Sequence, residues 1–218
     1  MARFIVVGLG NFGASVAASL HAMGHEVAAV DLEPDRVEHV AAWLDKVLAG
    51  DATDPALLDL LGARRADAAI ISTGDDVTAS VLAAIALRDL GVTDVHVKVV
   101  SDLHARILAK VGVRETVFPE RESAQFLAHR VGSRAILRYV ELQPGLAVQE
   151  MSVPKRWVGR SLRELELPRR YGITVIAVRE HRDGPLTQAP DPRARLAAPN
   201  TVLVAGHEEA LERAARLG

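Results

Sequence analysis

Between residues 3 and 118 the sequence repeats one phrase: a short β-branched apolar run, a turn, then a segment with helical apolar spacing. The apolar runs fall at residues 3–7, 26–30, 46–48, 68–71, 95–99 and 116–118. Helix-period segments separate them at 11–23, 34–43, 55–61, 76–90 and 102–110, several opening with Asp or Pro. Strands linked through helices run parallel, and strands apolar on both faces must be covered on both faces. The pattern therefore predicts an α/β domain, a Rossmann-like doubly wound parallel sheet of six strands.

Past residue 120 the phrase stops. Residues 120–137 read as one more helix, and no strand–helix repeat follows it. Runs at 139–142, 147–151, 174–178 and 201–205 are separated by turns and by a Pro/Arg-rich loop over 184–199. A small α+β domain fits this better, closed by a helix over 207–217, with 189–198 as an exposed loop whose prolines cannot sustain a ladder. The predicted organisation is a Rossmann-like domain over 1–120, a crossover helix over 121–138 and a C-terminal α+β subdomain over 139–218.

Composition narrows the function classes. The 218 residues are 49% hydrophobic and 25% charged, enough to bury a core. A net charge of −2 supplies no basic excess for a polyphosphate backbone, which argues against nucleic acid as a partner. The absence of cysteine excludes disulfides, thiolate metal sites and thiol catalysis, and agrees with a cytoplasmic location. The apolar run at 4–7 is too short for a signal sequence and reads as a first strand. No stretch approaches the roughly 20 apolar residues that cross a bilayer, so a membrane role is expected to come through a partner.

The chemistry centres on Gly8-Leu9-Gly10-Asn11-Phe12-Gly13, which follows the first strand and opens the first helix. Glycines with this spacing let backbone approach a phosphate, and the helix aims unpaired N–H groups and its positive dipole end at it. Asp31 ends the second strand, 18 residues past Gly13. A carboxylate there accepts from the ribose 2′ and 3′ hydroxyls and repels a 2′-phosphate, disfavouring NADP-type ligands. After the third strand, Asp51 is either an acceptor for an adenine amino group or a helix cap, a job Asp54 can do without it. Ser72-Thr73-Gly74-Asp75-Asp76 ends the fourth strand and walls the same pocket, with Asp76 as a capping residue. The eight histidines show no metal-ligand spacing, and no nucleophile signature stands out. Trp43 and Trp157 read as packing residues. Taken alone, the glycine turn and Asp31 also fit an NAD-dependent oxidoreductase, for which the second half offers only His181 and His207 as proton donors.

These segments, with Val97-Lys98-Val99, Leu103-His104 and Val117-Phe118-Pro119-Glu120, resemble the RCK (KTN) family, the cytosolic regulatory subunits of Ktr and Trk potassium transporters. Val158-Gly159-Arg160-Ser161-Leu162-Arg163-Glu164-Leu165 and Tyr171-Gly172-Ile173-Thr174-Val175-Ile176-Ala177-Val178 resemble the family's small C-terminal subdomain. The length is that of the Ktr-type, single-module subunit. The resemblance implies that ATP or ADP, and in some members NAD(H), acts as a switch ligand, with a preference for ADP, AMP or NAD left open in this chain. Its implied contacts are Gly8, Gly10, Asn11, Phe12 and Gly13 in the turn, and Asp31 and Glu33 beyond the second strand. Asp51, Ala52, Thr73, Gly74 and Lys98 complete the set. It implies a divalent or monovalent cation held by Glu120 at a nucleotide interface, although a first-turn acid is also favoured by the helix dipole alone. Homodimers assembling into an octameric ring beneath a membrane-embedded potassium pore are implied as well, with the subunit cytoplasmic and peripheral to the membrane. Many Ktr-type members carry arginine where this chain has Asn11, whose amide gives no charge-assisted phosphate contact. Some members bind cyclic di-AMP through an arginine upstream of the Tyr-Gly pair; here that position is Pro168, with Arg169 and Arg170 beside it, which disfavours this ligand. The remaining alternative is a nucleotide-sensing module of another cation transporter.

Overall fold

The computed structural model describes residues 1–218 except 45, 133–134, 181–183 and 218. The chain forms two units, Met1–Pro119 and Glu120–Gly218. In the first, β1 (Arg3–Val7), α1 (Asn11–Ala22), β2 (Glu26–Asp31), α2 (Pro34–Ala41) and β3 (Lys46–Ala49) run in succession. They are followed by α3 (Pro55–Leu60), β4 (Ala68–Ile71), α4 (Val77–Asp89), β5 (Val95–Lys98), α5 (Asp102–Lys110) and β6 (Glu115–Val117). The strands pair in parallel in the order β3-β2-β1-β4-β5-β6, as the two-faced apolar strands predict.

Strand parity explains why helices cover both faces. Ile5, Val7 and Val30 point into one core with Leu58 of α3, Leu87 of α4 and Leu108 of α5. Val6, Val27 and Ala29, offset by one residue, pack with Ala17 of α1 and Val40 of α2 on the other. Helix starts are set by local polar groups. Asp54 accepts from Ala56 N–H at 2.8 Å, Asp76 from Ala79 N–H at 2.8 Å and Ser101 from His104 N–H at 3.1 Å. The chain winds outward from β1 to β3, then returns to β4 on the other side of β1. That reversal opens a crevice at the carboxyl ends of β1 and β4, where ligands of such sheets bind.

The second unit takes α6 (Pro119–Gly132) from its second residue, followed by β7 (Ile136–Gln143), β8 (Leu146–Ser152), α7 (Leu162–Leu165) and α8 (Leu167–Tyr171). β9 (Ile173–Arg179), β10 (Leu186–Gln188), β11 (Thr201–His207) and α9 (Glu208–Ala215) complete it. Its antiparallel sheet has the order β10-β9-β11-β8-β7. Met151, Ile173, Val202 and Val204 bury against Trp157, Leu165 and Leu211. Trp157 is 1% exposed and tilts against Tyr171, as a packing residue does.

Three expectations need correction. The helix predicted over 120–137 ends as α6 at Gly132; residues 133–134 lie outside the described set, and Ile136 instead pairs with Met151 in a strand that buries it. The predicted loop over 184–199 contains β10, because Leu186, Thr187 and Gln188 find free edge groups on Arg179, Val178 and Ala177. Within 189–198, Leu196 is buried rather than exposed: its N–H donates to Arg160 C=O at 3.0 Å and its carbonyl accepts from Gly159 N–H at 2.8 Å. Ser161 and Glu164 form a reciprocal capping box that starts α7.

Candidate nucleotide site

Backbone approach, rather than side-chain chemistry, shapes the glycine turn. Gly8 has φ +86°, and a Cβ there would lie 2.1 Å from Ser72 O. A Cβ on Gly13 would lie 1.9 Å from Gly8 O. These two glycines therefore let the turn close against β4 and against the first turn of α1. Gly10 differs: a Cβ there meets no atom within 4 Å. It is the N-cap of α1, makes no side-chain capping bond, and is followed by a first turn without acidic residues. The Asn11 side chain is exposed, Phe12 is half-buried and Gly13 is buried. Gly10 thus leaves open space beside the uncapped start of α1, the positive end of a helix, an arrangement suited to an anion.

Asp31 closes β2 and is only 6% exposed. Its Oδ2 accepts from Leu9 N–H at 2.5 Å and its Oδ1 from Glu33 N–H at 2.9 Å. Arg36 Nη1 stands 3.5 Å from Oδ2. Sequence reasoning placed Asp31 near the turn but missed that it binds the turn's own backbone, and missed Arg36. An acid with a basic residue five positions on, in the first turn of the following helix, is the only local sign of that pair.

The other predicted residues fall on the same carboxyl edge. Gly50 follows β3 and donates to Asp31 C=O at 2.9 Å, and Asp51 comes next. Asp54 caps α3; Asp51 is exposed, and the Thr53 N–H at 2.9 Å, then the Thr53 hydroxyl, hold its carboxyl below the usual range. Ala52 is half-buried beside it. Ser72 donates to Val7 C=O at 2.7 Å, bringing the β4 end to β1; Thr73 and exposed Gly74 follow, and the Thr73 hydroxyl donates to Asp76 C=O at 3.0 Å. Lys98 ends β5, half-buried and two strands from β1 on this edge. Glu33 is the exposed N-cap position of α2.

Glu120 belongs to the second unit, in the first turn of α6. Pro168 lies in the first turn of α8, and Arg169 and Arg170 pair with Glu166 of their own segment at 3.7 and 3.4 Å. His207 precedes α9, with Nδ1 3.1 Å from Gly145 O, and His181 lies outside the described residues. Among the described residues, no group of three or more His, Asp or Glu side chains is placed to hold a metal ion, and no helix is long and apolar enough to cross a membrane.

Comparison with known proteins follows the same two-part division. The TrkA-N domain family matches residues 4–119 and the TrkA-C domain family residues 148–217. Ktr system potassium uptake protein C of Bacillus subtilis is 35% identical over 181 residues, covering 83% of this chain and 82% of that protein. Ktr system potassium uptake protein A of the same species is 29% identical over 211 residues, 97% of this chain and 94% of its own. The RCK domain of GsuK superposes with a TM-score of 0.66 at 21% identity, over 99% of this chain and 47% of that one. The GsuK channel bound to NAD gives 0.66 at 20% identity (98% and 39% covered), and GsuK bound to ADP gives 0.52 at 18% (59% and 34%). This chain spans less than half of those structures, and at such identities the likeness speaks to the fold alone. With both domains matched in order and Ktr proteins aligned over more than four-fifths of their length, the chain belongs to the RCK (KTN) family and is similar to its Ktr members.

Proposed function

We propose that this chain is a nucleotide-sensing regulatory subunit of a potassium uptake channel or transporter, with an adenine nucleotide as the switch ligand at the carboxyl edge of the first unit. One observation carries the reading: the uncapped start of α1, the open space beside Gly10 and buried Asp31 converge on a single turn. The first two suit a phosphate, and the third suits a ribose. A fold shared with GsuK, described bound to NAD and to ADP, supports an adenosine ligand. Asn11 adds no charge at the phosphate end, so preference for ATP over ADP needs a base from elsewhere in an assembly.

Regulation of this kind requires that the ligand bind two conformations unequally. Moving an equilibrium from 1:99 to 99:1 takes about 10⁴-fold differential affinity, so sharing the work among copies in a ring lowers the demand on each site. Self-assembly is supported by exposed apolar stripes on neighbouring helices: Leu82 and Ile85 on α4, and Leu103 and Ile107 on α5, at helical spacings. Homodimers building an octameric ring, a membrane-embedded Ktr- or Trk-type pore as partner and a cytoplasmic position at the membrane belong to the same reading. So does a hard cation on the Glu120 carboxylate, an oxygen ligand such ions favour. The subunit on this view senses rather than catalyses.

The test is a thermal-shift titration with ATP, ADP, AMP, NAD and NADH, with and without magnesium or calcium. A ligand at 100 times its Kd stabilises the fold by about 2.7 kcal/mol. Asp31→Ala should abolish that shift. No shift of the wild-type protein with any adenosine ligand would overturn the reading, and an unchanged shift in the variant would remove Asp31 from the site.

A further inference from the structure

A carboxylate offers about four lone-pair directions. Inside this chain three of those on Asp31 are already addressed: Leu9 N–H and Arg36 Nη1 on Oδ2, and Glu33 N–H on Oδ1. The three donors differ in kind. Leu9 and Glu33 are backbone groups of the glycine turn and of the α2 N-cap, fixed by the fold. Arg36 approaches Asp31 only to 3.5 Å, and its side chain is 54% exposed. Its backbone is nonetheless set: it is the third residue of α2, and its N–H donates to Glu33 C=O at 3.1 Å. A guanidinium has five donors in a fixed fork, and among the described residues Asp31 is the one acceptor it meets.

A ribose presents two neighbouring hydroxyls, each both donor and acceptor. The free direction on Asp31 Oδ1 accepts from one of them. The other hydroxyl then faces the guanidinium edge beside Oδ2, where the complementary arrangement is for its oxygen to accept. We propose that Arg36 is a second ribose-reading residue: Asp31 accepts from one hydroxyl while Arg36 donates to the other, so the pair recognises a vicinal diol as a unit. The proposal rests on the nucleotide reading of this site. Asp31, Glu33 and Asp35 outnumber Arg36 in charge, so a 2′-phosphate is rejected despite the arginine.

Isothermal titration of the full chain with ADP, 2′-deoxy-ADP and 3′-deoxy-ADP tests this. A hydrogen bond to a charged group corresponds to roughly 10- to 100-fold in affinity. The wild-type protein should lose about 10-fold or more with each deoxy analogue. Arg36→Met should weaken ADP by about 10-fold and erase one of the two deoxy penalties, leaving the other, which belongs to Asp31, intact. Arg36→Lys should recover part of the ADP affinity, since it keeps a donor and the charge. The exposed position predicts unchanged melting of both variants, which circular dichroism checks. Wild-type ADP affinity in Arg36→Met, or weaker ADP binding with both penalties retained, would overturn the proposal and leave Asp31 as the ribose reader. Failure of the wild-type protein to bind ADP would overturn it, whereas the nucleotide reading falls only if ATP, AMP, NAD and NADH fail as well.

Discussion

An alanine scan of the glycine turn separates packing from ligand approach, because the three positions differ in space although the sequence pattern treats them alike. At Gly13 a Cβ would sit 1.9 Å from Gly8 O, and Gly8 cannot recede because its own Cα side already lies against Ser72. Both neighbours are backbone, so the strain falls at the upper end of the overpacking range, about 3 kcal/mol. The better helix propensity of Ala returns about 1 kcal/mol, leaving a net loss of about 2 kcal/mol. For a chain of this length that is a fall of about 4–8 °C in melting midpoint. Gly8→Ala adds to a 2.1 Å clash a φ of +86°, which costs a non-glycine residue about 1–2 kcal/mol, with no helix gain to offset it. It should be the worst of the three. Gly10→Ala should be close to neutral: φ −63° and ψ −177° suit alanine and the space is open, and the about 0.4–1 kcal/mol gained from the less free unfolded chain is offset by the preference for glycine over alanine at an N-cap. Its methyl group, however, enters the space before the α1 N–H groups, and ADP affinity should fall by about 10-fold or more. Differential scanning fluorimetry reads the first quantity and calorimetric titration the second. Wild-type ADP binding in Gly10→Ala, or wild-type melting in Gly13→Ala, would refute the assignment of roles.

Three further outcomes follow from the packing. Glu150 is 4% exposed and accepts from Arg179 Nε at 2.9 Å and the Thr201 hydroxyl at 2.8 Å; Glu150→Ala removes the countercharge and leaves that guanidinium its bond to the Gly184 carbonyl, and should cost about 3 kcal/mol, the low end for a broken buried pair, measured by urea denaturation. The double change Glu150→Leu with Arg179→Met removes both charges and should recover most of the loss. Buried His104 bonds the Ser80 hydroxyl through Nε2 at 3.0 Å while Nδ1 meets no partner among the described residues, and burial pushes its pKa down. Its neutral form is favoured by folding, so stability is fully present above the ordinary value of about 6.5 and is lost as pH falls below it; His104→Gln should flatten that part of a stability–pH profile. Glu166 holds φ +46° between α7 and α8, and Glu166→Gly should raise the melting midpoint by about 1–3 °C, since relief of about 1 kcal/mol exceeds the exposed pairs to Arg169 and Arg170 that it removes.

The parallel sheet was legible because its cause is local: apolar runs with two buried faces, spaced by helix-period segments, admit few other packings. The capping acids Asp54 and Asp76 were legible for the same reason, each acting within three residues of itself. Antiparallel β10 was not, because a three-residue run earns its place only when the edge of β9 stands beside it. Nor was the burial of Leu196, which depends on backbone 36 residues away at Arg160 and 37 away at Gly159.

At the glycine turn the same division holds. Residue type and spacing alone put a glycine turn and an acidic neighbour at the ends of the first two strands. Tertiary structure alone decided that Gly8 and Gly13 serve packing while Gly10 faces open space, that Leu9 N–H ties the turn to Asp31, and that Arg36 returns to the same carboxylate. Those are distances between groups brought together by the parallel pairing of β1 with β2 and β4, and a one-residue change of register would remake every one of them.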